Sequence, residues 1–233
     1  MPEAVILSWS GGKDSALALH ALSQDPAWQV TGLLTSVTRG FDRVSMHGVR
    51  RSLLEAQAQR LGLPLSVIDV EPRSDNASYE SAFHAALERI RCDQPRVKHI
   101  AFGDLFLEDV RAYRERSLAD TGVTPLFPIW GTDTGRLARR FIADGFRARL
   151  VCVDTTQLDA GFAGRVFDTV LLDDLPREVD PCGEKGEFHT FVSDGPPFSA
   201  AVPYTVGDTV LRDDRFSFCD LVDNHGTGGT AGG

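Results

Sequence analysis

The chain has 233 residues, 42% of them hydrophobic, so it can bury one large core or two unequal ones. Its 24 basic and 33 acidic residues give a net charge of −9, which argues against wrapping nucleic acid, because that affinity depends on Lys and Arg neutralising phosphates. It contains no secretory signal pattern, no run near the roughly 20 apolar residues that span a bilayer, and no closely spaced cysteine pair. We therefore expect a soluble, reduced, cytoplasmic protein that is not embedded in a membrane and has neither a disulfide scaffold nor a structural zinc site.

The first half of the chain alternates between strand-like and helix-like patterns. Apolar runs predict four strands, and apolar residues at helical spacing predict three helices between them. The strands are Ala4–Trp9, Gln29–Val37, Leu65–Val70 and Val97–Phe102, and the helices are Ala16–Leu22, Val49–Leu61 and Tyr79–Ile90. This order predicts an α/β fold whose parallel sheet is sandwiched by helices. Ligands are expected beyond the carboxyl ends of the strands, in the segments Ser10–Ser15, Thr35–Gly40 and Gly103–Phe106.

The residue pattern of the sequence changes near Phe127, and mainly short strands are expected after this position. A helix is expected at Gly135–Gly145, and short strands at Ala148–Val153, Glu187–Val192, Val202–Leu211 and Phe216–Val222. We predict one domain over residues 1–126 and a smaller mixed α/β domain over 127–223. The Gly/Thr-rich residues 224–233 lack apolar anchors and predict a disordered tail.

A Gly-rich loop, Ser10–Ser15, follows the first strand and opens the first helix. Gly11 and Gly12 permit close backbone approach to a ligand, and a helix N-terminus presents amide donors to an anion. Lys13 adds a positive charge, and the serines at either end add hydroxyl donors. The loop has neither Walker A spacing nor the dinucleotide fingerprint. The alternative is a tight turn that uses glycine, but the full sequence Ser-Gly-Gly-Lys-Asp-Ser favours a phosphate cradle.

A second group of polar residues lies in the segment Asp180–Val192. Glu184 and Glu187 lie in and beside a turn rich in glycine, and strand periodicity places Glu187 and His189 on one face. Two carboxylates and an imidazole could hold ammonium, deprotonate it or position a cationic substrate. The alternative is a solvated turn before an edge strand.

Three further positions are candidates for ligand contacts, each with a structural alternative. Asp104 follows a predicted strand, where it could bind magnesium or a ribose hydroxyl, or else cap a helix. Arg114 and Arg116 lie on a charged helix that is solvated by default, although one arginine could reach a phosphate. Met46 and His47 precede a helix and could contact substrate, cap the helix or pack.

The loop Ser10–Ser15 resembles that of the PP-loop ATP pyrophosphatases, whose fold is of the adenine nucleotide α-hydrolase type. Further stretches resemble the diphthine–ammonia ligase (diphthamide synthase) family within that group, and the resemblance extends over roughly residues 4 to 198. These stretches are Met46–Val49, Gln57–Ala58, Leu61–Leu65, Phe102–Asp104, Tyr113–Arg116, Phe127–Trp130, Asp180–Val192 and Asp194–Pro196. Members adenylate an oxygen of the acceptor, release pyrophosphate and let a nucleophile displace AMP.

The resemblance implies roles for specific residues. ATP and Mg²⁺ are the implied cofactors, and the sequence does not identify the metal ligands. Lys13, Glu184, Glu187 and His189 would be catalytic. The nucleotide would be held by Ser10, Gly11, Gly12, Lys13, Asp14, Ser15, Gly103 and Asp104. The implied partners are ATP or AMP, a carboxylate-bearing acceptor and ammonia, and a homodimer is left open.

The chain departs from the archaeal and eukaryotic ligases at Gly103–Leu105 and at Ala112–Tyr113. It resembles the bacterial side of the family, whose acceptor the resemblance does not imply; diphthine is excluded if the protein is bacterial. Two other functions are kept as alternatives. One is an adenine-nucleotide sensor without turnover, and the other is a tRNA-thiolating enzyme, which the acidic charge and dispersed cysteines disfavour.

Overall fold

The computed structural model describes residues 1–40, 43–44, 48–72 and 74–224. Within these ranges the chain forms two sheets flanked by helices. Met46, His47 and residues 225–233 of the predicted tail lie outside the described residues. In the described part of the chain, no helix combines the length and the apolar character that crossing a bilayer requires.

The first sheet is built from six strands, five of them parallel. The parallel strands lie in the order β4-β2-β1-β5-β6, and the short β3 pairs antiparallel with the end of β2. The strands are β1 Glu3–Ser8, β2 Trp28–Thr38, β3 Arg43–Val44, β4 Leu65–Val70, β5 Val97–Ala101 and β6 Thr124–Leu126. The chain builds outward from β1 to β4 and then crosses to β5 on the other side of β1. This reversal of strand order opens a crevice at the carboxyl ends of β1 and β5.

Six α-helices and one 3₁₀ helix connect the strands of the described chain. The α-helices are α1 Lys13–Gln24, α2 Arg51–Leu61, α3 Asn76–Asp93, α4 Glu108–Leu118, α5 Thr134–Ala143 and α6 Thr169–Asp174, and the 3₁₀ helix is Ala160–Phe162. Helix α2 ends as its sequence predicts: Gly62 adopts a left-handed conformation (φ 66°, ψ 26°) and Pro64 follows two residues later.

The second sheet is antiparallel, in the order β8-β7-β10-β9. Its strands are β7 Arg147–Asp154, β8 Phe188–Asp194, β9 Tyr204–Arg212 and β10 Phe216–Asp223. Asp213 and Asp214, both with positive φ, lie in the three-residue turn 213–215 between β9 and β10. The predicted fold class, a parallel sheet sandwiched by helices with a smaller mixed part after it, is confirmed.

One hydrophobic core joins the two sheets. The same cluster of buried residues contains Leu7 of β1, Leu53 of α2, Phe141 of α5 and Phe188 of β8. A second cluster, with Leu34 and Phe83, fills the space under the other face of the parallel sheet. The boundary at residue 126 coincides with the end of β6 and stays a prediction, but the two parts share their main core.

Candidate active site

A cleft of about 340 Å³ opens at the carboxyl ends of β1, β2 and β5 and is bounded on its far side by the start of β8. It lies at the reversal of strand order, where an open α/β sheet binds its ligands. The cleft brings together residues from segments far apart in the sequence. Those among its lining that the sequence analysis named are Ser10, Lys13, Asp14, Ser15, Gly103, Asp104, Arg114, Glu184 and His189.

The segment Ser10–Ser15, hereafter the phosphate loop, is held from behind. Gly11 has φ +79°, and a Cβ there would lie 2.7 Å from Leu54 Cδ2 and 2.9 Å from Gln57 Oε1. Its carbonyl accepts hydrogen bonds from Gln57 Nε2 (3.0 Å) and from the Val192 amide (2.9 Å). Only glycine fits this position. Within the described chain, neither Gly11 nor Gly12 lines the cleft, so their contribution is to the shape of the loop.

The side of the phosphate loop that faces the cleft is the start of α1. The amides of Asp14 and Ser15 belong to the first turn, whose donors have no partner within the helix itself. The Ser15 hydroxyl donates to the Gly12 carbonyl (2.9 Å) and lies 3.3 Å from the Ser10 hydroxyl. Amide donors and a helix dipole at this end form a site that attracts anions.

Lys13 is a buried cation at this helix start, with 2% of its surface exposed. Its Nζ lies 2.9 Å from both carboxylate oxygens of Asp14 and 5.6 Å from the Phe188 ring centroid. Burial is the largest single influence and lowers the pKa of Lys13, but the charge and hydrogen bond of Asp14, together with the nearby Cys182 and Glu184, outweigh it. The pKa is therefore raised above its ordinary value and the amine stays protonated.

Gly103, which follows β5, packs directly against the start of α1. A Cβ at this position would lie 2.7 Å from the Asp14 carbonyl carbon and 2.9 Å from the Ser15 nitrogen. Any side chain would push α1 away from the sheet. Gly103 therefore sets the depth of the cleft at the same place where the sequence analysis expected a ligand contact.

Asp104 points into the cleft and pairs with Arg114 of α4, whose Nε lies 3.4 Å away. The guanidinium carbon of Arg114 lies 4.6 Å from the Phe102 ring centroid. Burial raises the pKa of Asp104, and the charge of Arg114 partly offsets this rise. Helix α4 begins at Glu108 with Leu107 as its N-cap, so the alternative that Asp104 caps a helix is wrong. Arg116 is exposed to solvent.

Glu184 also lines the cleft, in the turn Asp180–Gly186, hereafter the acidic turn. Its Oε1 accepts the Leu105 amide at 2.7 Å. Burial raises the pKa of Glu184 to about 7, despite that hydrogen bond, and the charge of Asp14 adds to the rise. A carboxylate with this pKa can accept or release a proton near neutral pH.

His189 and Thr190 of β8 complete the lining of the cleft. Burial, reinforced by the positive charge of Lys13, lowers the pKa of His189 to about 4, so the imidazole is neutral at neutral pH. The Thr190 hydroxyl accepts the Lys13 amide at 3.0 Å. This hydrogen bond links β8 to α1, the helix that starts at the phosphate loop.

Glu187 is not brought into the cleft. It is 2% exposed, and its two carboxylate oxygens accept the amides of Asp180 and Lys185, both at 2.9 Å. Strand periodicity predicted that it shares a face with His189, but Glu187 precedes β8 and its side chain folds back into the acidic turn. The geometry gives Glu187 a structural contact with the turn that carries Glu184.

A substitution at Glu187 tests this structural contact. In Glu187→Gln, the amide NH₂ faces a backbone N–H, so one buried donor loses its acceptor. We expect the free energy of unfolding to fall by about 1–3 kcal/mol, measured by urea denaturation. Glu178→Gln, at an exposed site, is the matched control and should leave stability unchanged. Equal stability of the two variants would contradict the structural role.

Two residues that line or support the cleft were not named individually as site residues, although Thr35 begins the segment Thr35–Gly40, where the sequence analysis expected a ligand. Thr35 of β2 lines the cleft and is 4% exposed, and its hydroxyl has no hydrogen-bond partner among the residues that the structure describes. Gln57 of α2 is fully buried behind the phosphate loop. A polar residue within an apolar pattern was the available signal in both cases.

Two domain models of one protein family match this chain. The model for the diphthamide synthase N-terminal domain matches residues 3–125, and the model for the C-terminal domain matches residues 133–208. The chain therefore belongs to the diphthamide synthase family.

Among known proteins, the diphthine–ammonia ligase of Schizosaccharomyces pombe is 24% identical over 219 residues. The alignment covers 86% of this chain and 36% of that protein, so the chain spans about a third of the relative's length. A solved structure, described as a predicted subunit of tRNA methyltransferase from Methanocaldococcus jannaschii, shares 17% identity with a TM-score of 0.42. That alignment covers 64% of this chain and 80% of the other.

Proposed function

We propose that this chain is an ATP-dependent amide ligase. It binds ATP with the β- and γ-phosphates at the phosphate loop and transfers AMP to a carboxylate, which releases pyrophosphate. Ammonia then attacks the acyl carbon, and AMP leaves as the amide forms. The observation that carries the proposal is that Lys13 and Glu184 line one cleft, which combines a cation at a helix N-terminus with a carboxyl group of pKa about 7.

The first half-reaction needs stabilisation of the pyrophosphate that leaves. Negative charge builds on the β-phosphate as the α–β bond breaks, and fixed donors at that position lower the barrier. Protonated Lys13 and the first-turn amides of α1 would supply these donors. A phosphate that approaches Lys13 takes the place of its contact with Asp14, which now lies 2.9 Å away.

The second half-reaction needs a neutral nitrogen nucleophile. Ammonium must lose a proton before it can attack, and Glu184 in its ionised form would accept that proton. His189, neutral at this pH, would offer a hydrogen-bond acceptor in the same cleft. Asp14 and Asp104 are paired with Lys13 and Arg114, so Glu184 is the carboxyl group that would attract a cationic precursor such as ammonium.

Mg²⁺ is expected to accompany the nucleotide. The described residues contain no group of three or more potential ligands that would hold a metal unaided. Mg²⁺ often needs only one or two carboxylates together with substrate phosphates, and Asp14 and Asp104 line the cleft in suitable positions. When bound, the ion would neutralise part of the phosphate charge.

The products of ATP cleavage test the proposal. Incubation with ATP, Mg²⁺, ammonium and candidate carboxylates should yield AMP and pyrophosphate in equal amounts. An ¹⁸O-labelled carboxylate should pass one ¹⁸O atom to AMP, because its oxygen attacks the α-phosphorus. ADP and phosphate as products would overturn the proposal, and tight ATP binding without turnover over a broad carboxylate panel would favour a sensor.

The unpartnered Thr35 hydroxyl provides a second test of where the nucleotide lies. If the ligand supplies its missing partner, Thr35→Val should weaken ATP binding about three- to tenfold in calorimetry, because one hydrogen bond is lost. The stability of the free protein should not fall, since a buried, unsatisfied hydroxyl is removed.

Thr31 is the matched control for this test. Its hydroxyl is also buried and without a partner among the described residues, but it lies further back on β2 and does not line the cleft. Thr31→Val should bind ATP as the wild type does. If both variants bind ATP equally well, the nucleotide does not reach Thr35.

A further inference from the structure

Gln57 of α2 connects three separate segments at the back of the phosphate loop. Its Oε1 accepts the Trp9 indole N–H at 2.9 Å, and its Nε2 donates to the Gly11 carbonyl at 3.0 Å and to the Val192 carbonyl at 2.6 Å. The side chain is fully buried and does not line the cleft. We propose that Gln57 is a positioning residue that sets the phosphate loop against β8 and thereby tunes affinity for the phosphate end of the nucleotide.

The hydrogen-bonding pattern selects an amide at this position. One acceptor and two donors are used at once, and among buried side chains of this length only glutamine supplies that combination. An apolar replacement leaves the Trp9 indole N–H without its acceptor and removes one donor from each of the Gly11 and Val192 carbonyls, in a buried region. A carboxylate supplies the acceptor but sets a negative charge against both carbonyl oxygens.

The loop is fastened to β8 at two further points. The Val192 amide donates to the Gly11 carbonyl at 2.9 Å, and the Lys13 amide donates to the Thr190 hydroxyl at 3.0 Å. The Gly11 carbonyl therefore accepts from both Gln57 and Val192, and loss of Gln57 removes one of these two hydrogen bonds. The consequence is a displacement of the loop and of the first turn of α1, which are the elements that would bind phosphate.

Leu34 and Thr35 of β2 and Ile68 of β4 line the side of the cleft beyond β1 and are not hydrogen bonded to Gln57 itself. Their link to it runs through Trp9, whose amide donates to the Leu34 carbonyl at 2.8 Å, and a side-chain change at Gln57 leaves this backbone bond in place. A change at Gln57 should therefore alter binding of phosphate groups and leave binding of the nucleoside intact. A residue needed only for folding would weaken the binding of phosphate groups and of the nucleoside to the same extent.

Calorimetry on the full chain with pyrophosphate and adenosine as separate probes tests this selectivity. Gln57→Met should bind pyrophosphate about tenfold or more weakly, corresponding to the loss of one or two buried hydrogen bonds, and should bind adenosine as the wild type does. Gln59→Met, an exposed site on the same helix, is the control and should bind both probes normally. Normal pyrophosphate binding by Gln57→Met, or an equal loss for both probes, would overturn the inference.

Gln57→Glu tests the inference by a pH-dependent readout, with adenosine affinity and urea denaturation at each pH as controls for any loss of folding. Its carboxylate lacks donors, but protonation at lower pH restores an O–H that can reach one carbonyl. Pyrophosphate affinity, expressed relative to wild type at the same pH, should recover as the pH falls; a constant ratio would count against the positioning role.

The inference rests on the proposed function, and the two can fail separately. Wild-type protein that binds neither ATP nor pyrophosphate removes the proposed phosphate site itself, and the role of Gln57 with it. Wild-type binding that Gln57 variants retain removes only the role of Gln57.

Discussion

Lys13→Met should lower the rate of ATP cleavage by about 10²–10³-fold, because it removes the one charged donor at the phosphate loop. Methionine keeps the length and apolar stem of lysine and fills the space beside Phe188, although the contact of the ammonium with the ring is lost. Affinity for pyrophosphate should fall as well, since the lost charge faces the leaving group. Release of AMP and pyrophosphate under saturating ATP, together with pyrophosphate calorimetry, measures both effects.

Lys185→Met is the matched control for this prediction. Lys185 lies in the acidic turn at the edge of the same cleft, but its side chain is exposed to solvent. If general positive charge attracts the nucleotide, both variants should weaken turnover to a similar extent. If the buried cation matters, only Lys13→Met should do so. Unchanged turnover and affinity in Lys13→Met would remove the phosphate loop from the mechanism.

Glu184→Gln should abolish most of the amide-forming step while leaving adenylation intact. General bases contribute about 10²–10⁴-fold, and glutamine cannot take a proton from ammonium. In the wild type, the rate of amide formation should rise with pH around the Glu184 pKa of about 7, because the carboxylate is the active form. The variant should lose this inflection. A wild-type profile without it would contradict the role of Glu184 as base.

Although Glu184→Gln should lower the rate of amide formation, it should raise the stability of the folded protein at high pH. The pKa of Glu184 is raised from its ordinary value of 4.5 to about 7 in the folded protein, so between these values the folded state holds a proton that the unfolded chain releases. That contribution to stability is complete below the lower value and is lost as the pH rises through 7. Glutamine is always neutral, and its oxygen can still accept the Leu105 amide.

Glu184→Gln should therefore be the more stable protein above neutral pH, by about 1–3 kcal/mol, and match the wild type in acid. Urea denaturation on each side of the pKa measures this difference. A less stable variant at high pH would show that burial does not perturb Glu184. A catalytic loss combined with a gain in stability is what a functional carboxyl group in an unfavourable environment produces.

Sequence patterns predicted the elements that are long enough to show a period. The β4 bounds, Leu65–Val70, agree fully, and the stop of α2 at Gly62 follows from local backbone preferences. By contrast, β3 has two residues and β6 has three, one of them proline. Both are too short to show the alternation of apolar and polar residues that predicts a strand. Their pairing is fixed by the neighbouring strands.

For the site, the sequence indicated which segments meet but not how each side chain points. Glu184 and Glu187 are three residues apart in one motif, yet one lines the cleft and the other bonds to the acidic turn. Strand parity cannot distinguish these cases, because backbone amides of the turn compete for the carboxylate. Gln57 did leave a signal: it lies three and four residues after Leu54 and Leu53, on the apolar stripe of α2.

The main core that joins both sheets limits how the chain can be divided. A fragment ending near residue 126 would expose the surface of Leu7 and Leu53 that packs with Phe141 and Phe188, and Gly11 would lose its bond from Val192. Residues 1–126 are therefore not expected to fold as an independent domain. Fused to another protein or expressed alone, this part should aggregate or remain partly unfolded, and the chain has to be inherited and engineered as one piece.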